Sequence, residues 1–390
     1  MPSMIRSVLM VVALLAACGM AARAESNTEP QHKAQALIDR GLGYLKQQQQ
    51  QSGAWHNENE PPAITAIALR AFLGEEQYTA QTEFIARGLA NLLTYQQASG
   101  GIYKDMQANY NTAIAIRALV AAKEPKYQPN IHRAVAFLKR LQWNELPDAA
   151  PERATVDQSD PRYGGFGYGR NERPDGSNLQ MALEALHEAG LAPDDPAYQR
   201  ALTFVTRMQN LSETNDQAWA SDDGGFVYTP ARGGESFAGE YISPDGQRRL
   251  RSYGSMTYAG LKSFIYAGLT KQDPRVRAAW EWIQQNWTLT ENPGMKLGDP
   301  TNAQHGLYYY FHTLARALNE YDQPVITDPQ GNRHDWRVEL IDQLAALQRD
   351  DGSWAGEKRW FEENPVLVTA YVVLALQEAR EDLEQHPPQR

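Results

Sequence analysis

Cysteine is almost absent from this sequence. Its 390 residues contain a single one, Cys18, which lies in the N-terminal segment. A disulfide needs two cysteines, and a thiolate metal site needs at least one in the folded part. The sequence therefore excludes a disulfide framework, and we expect neither a metal nor a cofactor.

The N-terminal apolar run is too short for a transmembrane helix. It extends from Val8 to Ala17, with Arg6 before it and Ala22-Arg23-Ala24 after it. This pattern is typical of an export signal over residues 1–24. In the alternative interpretation, Leu15-Ala16-Ala17-Cys18 is a lipobox, which would leave Cys18 lipidated and attached to a membrane. Both interpretations predict an exported protein, either periplasmic or secreted.

An excess of positive charge is lacking as well. The chain has 37 Lys and Arg against 47 Asp and Glu, a net charge of −10 at pH 7. Nucleic acids attract cationic surfaces, so this balance argues against a nucleic-acid partner. Composition predicts a polar tether over residues 25–35, a folded body over 36–380 and a disordered tail over 381–390.

One pattern is repeated six times along the folded body. Each copy has a short helix ending in an apolar residue, a glutamine four residues later, and a glycine-led turn with an aromatic residue. The first copy contains Leu45, Gln49 and Gly53-Ala54-Trp55. Gln96, Gln142, Gln209 and Gln348 are the corresponding residues of four other copies, and the degenerate fifth copy has Trp287 in place of the glutamine. A second helical segment, apolar all round, follows each turn. Such alternation predicts six one-sided outer helices and six buried inner ones.

The glutamine and the Gly-x-Trp turn resemble the QW repeat of squalene-hopene and oxidosqualene cyclases. Protein prenyltransferase β subunits are looser relatives. The resemblance covers roughly residues 40–379. It implies an all-α (α/α)6 toroid, in which the inner helices surround a cavity. We interpret the repeated glutamine as structural, since it can bond free backbone groups of the adjoining turn.

The motifs that carry the chemistry of these relatives are missing. The cyclase D-x-D-D motif is absent, and Asp157-Gln158-Ser159-Asp160 and Asp194-Asp195 are its nearest approximations. The prenyltransferase zinc site needs a cysteine that the folded part lacks. Resemblance of fold alone does not give function, so whether the chain is an enzyme stays open. If it is one, the resemblance implies a cyclase-like or prenyltransferase-like isomerase or transferase with non-standard catalytic residues.

Two residues near inner helices are candidate catalytic groups. Asp175 precedes Ser177 and Asn178, so its first interpretation is a helix cap, with proton transfer as the alternative. His312 follows His305 by seven residues, about two helical turns, so the two could share a face. We consider His312 as an acid–base partner or as an ordinary hydrogen-bonded histidine.

Hydroxylated aromatics are concentrated in the fourth and fifth repeats. A core seldom needs so many phenols, so we expect them to face the cavity and bind a substrate. The alternative is a tyrosine-rich core whose hydroxyls are satisfied by water. The candidate substrate-binding residues are Tyr253, Met256, Tyr258, Tyr308, Tyr309, Trp360 at the rim, and Arg251.

Arg251 belongs to an insertion, residues 229–251, that interrupts the repeat. A Pro-Asp-Gly segment within it predicts a hairpin or loop. As a lid, the insertion could bring Arg248, Arg249 and Arg251 to the mouth of the cavity to bind a diphosphate or carboxylate. The alternative is a surface loop whose arginines pair with the acidic body.

Three functions remain after these exclusions. The first is binding, with or without conversion, of a hydrophobic isoprenoid or polycyclic lipid, which predicts an apolar cavity with few charges. The second is a non-catalytic scaffold in the cell envelope, which predicts a plugged centre and an outer apolar patch. The third is a carbohydrate-active (α/α)6 enzyme, which needs paired carboxylates that we do not find.

Overall fold

Helical hairpins make up most of the chain. The computed structural model describes residues 28–145, 155–169 and 171–387. The predicted export signal and lipobox lie outside these residues. Outer and inner helices alternate along the sequence. Their bounds are 28–47 (α1), Ala63–Leu73 (α2), Glu83–Leu93 (α3), Ala108–Ala121 (α4), Gln128–Leu141 (α5), Gly176–Glu188 (α6), Pro196–Thr206 (α7), Gly254–Tyr266 (α8), Pro274–Gln285 (α9), Leu307–Tyr321 (α10), Trp336–Leu347 (α11) and Pro365–Gln385 (α12).

The even-numbered helices form a closed inner ring. Each packs on the next, from α2 through α12, and α12 packs back on α2. The odd-numbered helices lie outside them. The protein is therefore an all-α (α/α)6 toroid, as predicted. Of the helices in the described ranges, none combines the length and apolar character needed to cross a membrane.

Burial follows the alternation predicted from the sequence. The inner helix α12 is buried without interruption from Leu367 to Ala379. The outer helix α3 buries a single stripe, which includes Phe84, Leu89 and Leu92. A helix packed on both sides has no polar face, whereas a one-sided helix keeps one for the solvent.

The repeated glutamine connects neighbouring repeats. Gln209 Nε2 donates to the carbonyl of Gly224 in its own turn (2.9 Å) and to that of Arg275 in the next outer helix (2.8 Å). Gln49, Gln96, Gln142 and Gln348 make the same pair of bonds. Gln348 reaches Leu37 in α1 and so closes the ring (3.3 Å). The structural interpretation of this residue is confirmed.

The structure places two boundaries differently from the prediction. Residues 28–35, predicted as part of a tether, begin α1, because Ala34 is buried and Gln31 donates to the carbonyl of Leu383 (3.1 Å). Residues 381–385, predicted as part of a tail, continue α12. Asp382 is buried there in an ion pair with Arg337 (2.7 Å).

The long connections lie at one end of the ring, which we call the mouth. There the outer helices end and the inner helices begin. The insertion forms an antiparallel hairpin at this end, as predicted, with strands Glu240–Ile242 (β1) and Arg248–Leu250 (β2). A second hairpin, Val325–Thr327 (β3) with Arg333–Asp335 (β4), lies at the opposite end, between α10 and α11.

Candidate functional site

An aromatic cavity of about 160 Å³ lies inside the ring at the mouth. Nine of its seventeen lining residues are aromatic, and none of these described residues is charged. The aromatic lining consists of Tyr110, Tyr168, Tyr228, Phe237, Tyr253, Tyr309, Trp360, Phe361 and Tyr371. The other lining residues are Pro61, Ala63, Ile64, Gln107, Ser177, Ser255, Met256 and Leu367.

The starts of the inner helices supply the floor and part of the wall. Tyr110 lies in the first turn of α4, Tyr309 in the first turn of α10 and Tyr371 in the second turn of α12. Tyr253 directly precedes α8 in an extended conformation. Because these helices begin at the mouth, their first side chains meet around one space.

The tyrosine hydroxyls in the wall bond to one another and to the helices behind them. Those of Tyr110 and Tyr371 are 2.6 Å apart. Tyr309 accepts a bond from Gln180 (2.7 Å), and Tyr168 and Tyr228 are hydrogen-bonded to each other. Burial raises the pKa of Tyr110 to about 12, so its phenol is neutral at pH 7. With these hydroxyls engaged, the wall offers mainly aromatic faces and edges.

Asp175 lies behind this wall rather than in it. Its carboxylate caps α6 by accepting bonds from the Asn178 backbone and side-chain nitrogens, both at 2.9 Å, which confirms the capping interpretation. The hydroxyl of Tyr228 also bonds to it. Burial raises the pKa of Asp175 to about 6. Tyr228 thus contacts Asp175 on one side and the cavity on the other.

His312 does not line the cavity. Its ring is stacked on Tyr371, with centroids 5.1 Å apart, and its Nδ1 has no hydrogen-bond partner within the described chain. Burial lowers the pKa of His312 to about 3, so the ring is neutral at pH 7. His305 precedes α10 and pairs with Glu357 at the rim (3.5 Å), so the two histidines do not form one site.

The structure divides the candidate substrate-binding residues. Those that line the cavity are Tyr253, Met256, Tyr309 and Trp360. The other three, Tyr258, Tyr308 and Arg251, do not line it. Tyr258 packs against Tyr310 (5.6 Å) between α8 and α10, and Tyr308 packs against Phe311 (5.9 Å). The structure corrects these two tyrosines to core residues.

The insertion contributes an aromatic residue, not its arginines. Arg251 lies over the ring of Tyr241 (4.8 Å) and does not reach the cavity. Arg248 pairs with Glu240 at 2.6 Å within the hairpin. Arg249 pairs with Asp245 in the hairpin turn (3.3 Å) and donates to the carbonyl of Ala218 (3.1 Å). The predicted headgroup site at these three arginines is therefore wrong, since contacts within the protein already engage them. Phe237 of the same insertion does line the cavity.

Trp360 and Phe361 cover the mouth in a strained conformation. Their φ angles are 57° and 66°, a region that residues other than glycine rarely adopt. Trp360 packs on Phe237, with ring centroids 5.1 Å apart, and is 37% exposed. Consecutive strained residues often mark a functional position.

A buried ion cluster closes the centre of the ring below the cavity. Glu184 of α6 is fully buried and contacts Arg117 of α4 (2.8 Å), Lys262 of α8 (2.6 Å) and Arg316 of α10 (3.2 Å). Arg316 also pairs with Glu378 of α12 (3.0 Å). The cluster thus ties five inner helices together. In the part of the chain that the structure describes, no group of three or more His, Cys, Asp or Glu could hold a metal ion.

Sequence reasoning missed the cavity residues Tyr168, Tyr228, Phe237 and Tyr371, and also the ion cluster. A signal for the cluster was available. Its charges interrupt inner helices that are otherwise apolar, and Arg117, Glu184, Lys262 and Arg316 are each the ninth or tenth residue of their helix. Because the inner helices all begin at the mouth, residues at the same position in each helix lie at the same depth. The four charged residues could therefore have been predicted to lie in one layer.

Solved structures share this fold at low sequence identity. The type II terpene cyclase MstE from Scytonema is 13% identical, with 90% of this chain and 99% of that chain aligned and a TM-score of 0.52. An unsaturated glucuronyl hydrolase specific for heparin is 12% identical over 93% and 99% of the two chains, with a TM-score of 0.56.

A possible member of the GH105 family from Salmonella enterica serovar Paratyphi A is 11% identical over 90% and 94%, with a TM-score of 0.52. No protein-family model matches the sequence, and no curated protein does. These likenesses show the (α/α)6 toroid and leave the activity to be argued from the site.

Proposed function

We propose that the protein binds the apolar end group of an isoprenoid or polycyclic lipid in the aromatic cavity. The observation that carries this proposal is the lining, in which nine of seventeen residues are aromatic and none is charged. Apolar surface without charge favours a ligand that buries carbon rather than one that needs ion pairs.

The size of the cavity limits what can be enclosed. An apolar cavity of about 150 Å³ is enough for a benzene ring. The volume of about 160 Å³ therefore suits one ring or a branched end group. A longer ligand would extend through the mouth between Phe237 and Trp360.

Binding rather than cyclisation is the activity that we propose. Protonation of an alkene needs a strongly acidic group, whereas burial raises the pKa of Asp175 to about 6. This carboxyl is also separated from the cavity by Tyr228. The terpene cyclase of the same fold, in complex with geranylgeranyl dihydroxybenzoate as substrate, supports the ligand class only.

The test is mass spectrometry of protein purified from its own host, measured natively and after organic extraction. We expect a stoichiometric isoprenoid or polycyclic lipid. Leu367→Trp fills the cavity and should abolish its retention. Tyr258→Phe removes a buried phenol outside the cavity and is the matched control, which should retain the lipid.

A protein that loses its lipid during purification would also be isolated empty, so the uptake of added lipid is measured as well. Protein that is isolated empty and takes up neither farnesol nor squalene would overturn the proposal. An interaction scaffold in the cell envelope would then be the better function.

A carbohydrate-active enzyme is the second candidate. The fold of the glucuronyl hydrolase favours it, as does Asp175, because an acid with a pKa near 6 is suited to proton donation near neutral pH. Against it, the described lining offers no cation for a uronate and no carboxylate that could pair with Asp175, which itself lies behind the wall. Turnover of an unsaturated glucuronyl disaccharide, lost in Asp175→Asn, would establish this candidate instead.

Export forms part of the same proposal. Residues 1–24 support it through their basic start, apolar run and Ala-Arg-Ala end. Fractionation of the host should place the protein outside the cytoplasm. The mass of the mature N-terminus then distinguishes cleavage after Ala24 from lipidation of Cys18.

A further inference from the structure

A second, basic pocket lies on the rim of the mouth. Its volume is about 280 Å³, and three of its eight described lining residues are arginines, Arg162, Arg173 and Arg232. Asp160 is the only acid among these eight. In a chain with a net charge of −10, three guanidinium groups around one pocket depart from the overall balance.

Two of these arginines are fixed by the protein. Arg162 forms a forked ion pair with Asp160, with nitrogen–oxygen distances of 2.9 and 2.6 Å, and lies 4.6 Å from the ring centre of Trp143. Arg173 pairs with Glu235. Side chains held in this way lose little further freedom when a ligand binds.

Arg232 is the free cation of the pocket. Its side chain is exposed, and it forms no ion pair with a carboxylate of the described residues. Its backbone has a φ of 56°, although it carries a side chain. Thr229 holds the segment in place through a bridge to Glu235 and a bond to the Ala231 nitrogen (3.1 Å). Among the described residues, with Asp160 and Glu235 counted, the pocket has one cation more than it has anions.

The rim pocket and the aromatic cavity share a wall. The guanidinium of Arg173 lies 5.3 Å from the ring centre of Tyr228, and Tyr228 lines the cavity. Phe237 packs on Tyr228 (4.4 Å) and lines the cavity too. One segment, residues 228–237, therefore separates a basic pocket from an apolar one.

We propose that the rim pocket binds an oxyanion head group, phosphate or carboxylate, of the same amphiphile whose apolar end occupies the cavity. This inference rests on the proposed function and narrows it to lipids with an anionic end. Guanidinium groups suit such a head group because their planar donors match two oxygens at once. Arg232 supplies the charge that no carboxylate of the described chain neutralises.

The experiment compares farnesyl phosphate, farnesoic acid and farnesol by calorimetric titration. We expect at least one anion to bind about tenfold more tightly than the alcohol, the effect of one hydrogen bond to a charged group. Arg232→Gln should reduce this ratio to near one and leave the affinity for farnesol unchanged. Arg248→Gln removes an exposed arginine paired within the hairpin and should keep the ratio.

Two further variants separate charge from backbone effects. Arg232→Lys should keep part of the preference for the anion. Arg232→Gly removes the side chain together with the backbone strain, so it should lose the preference without losing thermal stability. Equal binding of all three ligands by the unmodified protein, or an unchanged ratio in Arg232→Gln, overturns the inference and leaves the proposed function standing. If none of the ligands binds, both fall.

Discussion

Neutralising Glu184 should destabilise the whole ring. Its carboxylate lies among Arg117, Lys262 and Arg316 and has no exposed surface. Glu184→Gln keeps the shape but leaves three buried cations around a neutral amide. Breaking a buried ion pair by changing one partner costs about 3–5 kcal/mol.

The corresponding change in melting temperature follows from the size of the ring. Unfolding entropy is about 2.1 cal/mol/K per residue, so a cooperative unit of roughly 350 residues gives about 0.7 kcal/mol/K. A loss of 3–5 kcal/mol then lowers Tm by about 4–7 °C. Differential scanning calorimetry at pH 7 measures this directly. Glu83→Gln, an exposed acid paired with Arg87, is the control and should change Tm by less than about 1 °C.

The stability lost in Glu184→Gln should become smaller as the pH rises. Burial lowers the pKa of Lys262 below 10.5, so the unfolded chain holds its proton at pH values where the folded chain releases it. Stability due to this group therefore rises with pH. Without Glu184 the proton is released still more easily, so the deficit of Glu184→Gln should shrink between pH 7 and about 10.

A second substitution tests the cause. Arg117 and Arg316 keep other carboxylate partners in this variant, whereas Lys262 has none left among the described residues. Adding Lys262→Met to Glu184→Gln removes that cation and should recover part of the lost Tm. A fall of less than about 1 °C in the single variant would refute the reasoning. So would a deficit that neither pH nor the second substitution changes.

Three further predictions concern single groups. The pKa of Asp175 is raised from 3.8 to about 6, so its contribution is complete below pH 3.8 and lost as the pH rises through 6. Between about pH 4 and 7, the Tm of Asp175→Asn should decrease less than the Tm of the unmodified protein. Equal decreases in Tm would contradict this. The ring of His312 should stay neutral from pH 8 to about 4 in NMR titrations, and a midpoint near 6.5 would disprove its desolvation. Gln209→Ala should cost about 2 kcal/mol because two buried carbonyls lose their donor, and exposed Gln199→Ala should cost little. Urea unfolding compares the two, and similar midpoints would contradict the role of the repeated glutamine.

The ring could be predicted from the sequence because its determinants are local. In three copies, Gln49, Gln96 and Gln348, the glutamine lies four residues before its turn glycine, and its side chain bonds that glycine's carbonyl, as for Gln96 and Gly100 (3.1 Å). In the other two, an insertion separates the glutamine from its turn without removing the bond. The alternation of one-sided and buried helices is likewise visible within each repeat. Neither property depends on knowing where distant segments meet.

The cavity could be predicted only in part because rotation about a helix axis decides which side chains face it. Tyr308, Tyr309 and Tyr310 are consecutive in α10, and successive residues point about 100° apart, so only one faces the centre. That residue is Tyr309. Phe237 and Trp360 come from loops whose course is set by contacts between distant segments, and no periodic pattern indicates them.

Closure of the ring makes the two ends of the folded chain neighbours. Gln31 in α1 touches Leu383 in α12, and Gly190 lies exposed in a short connection at the end away from the mouth. A chain joined between α12 and α1 and reopened near Gly190 would keep every helix pair and every loop of the mouth. The order of repeats is thus circular, and such a rearranged chain is a route to placing new termini away from the cavity.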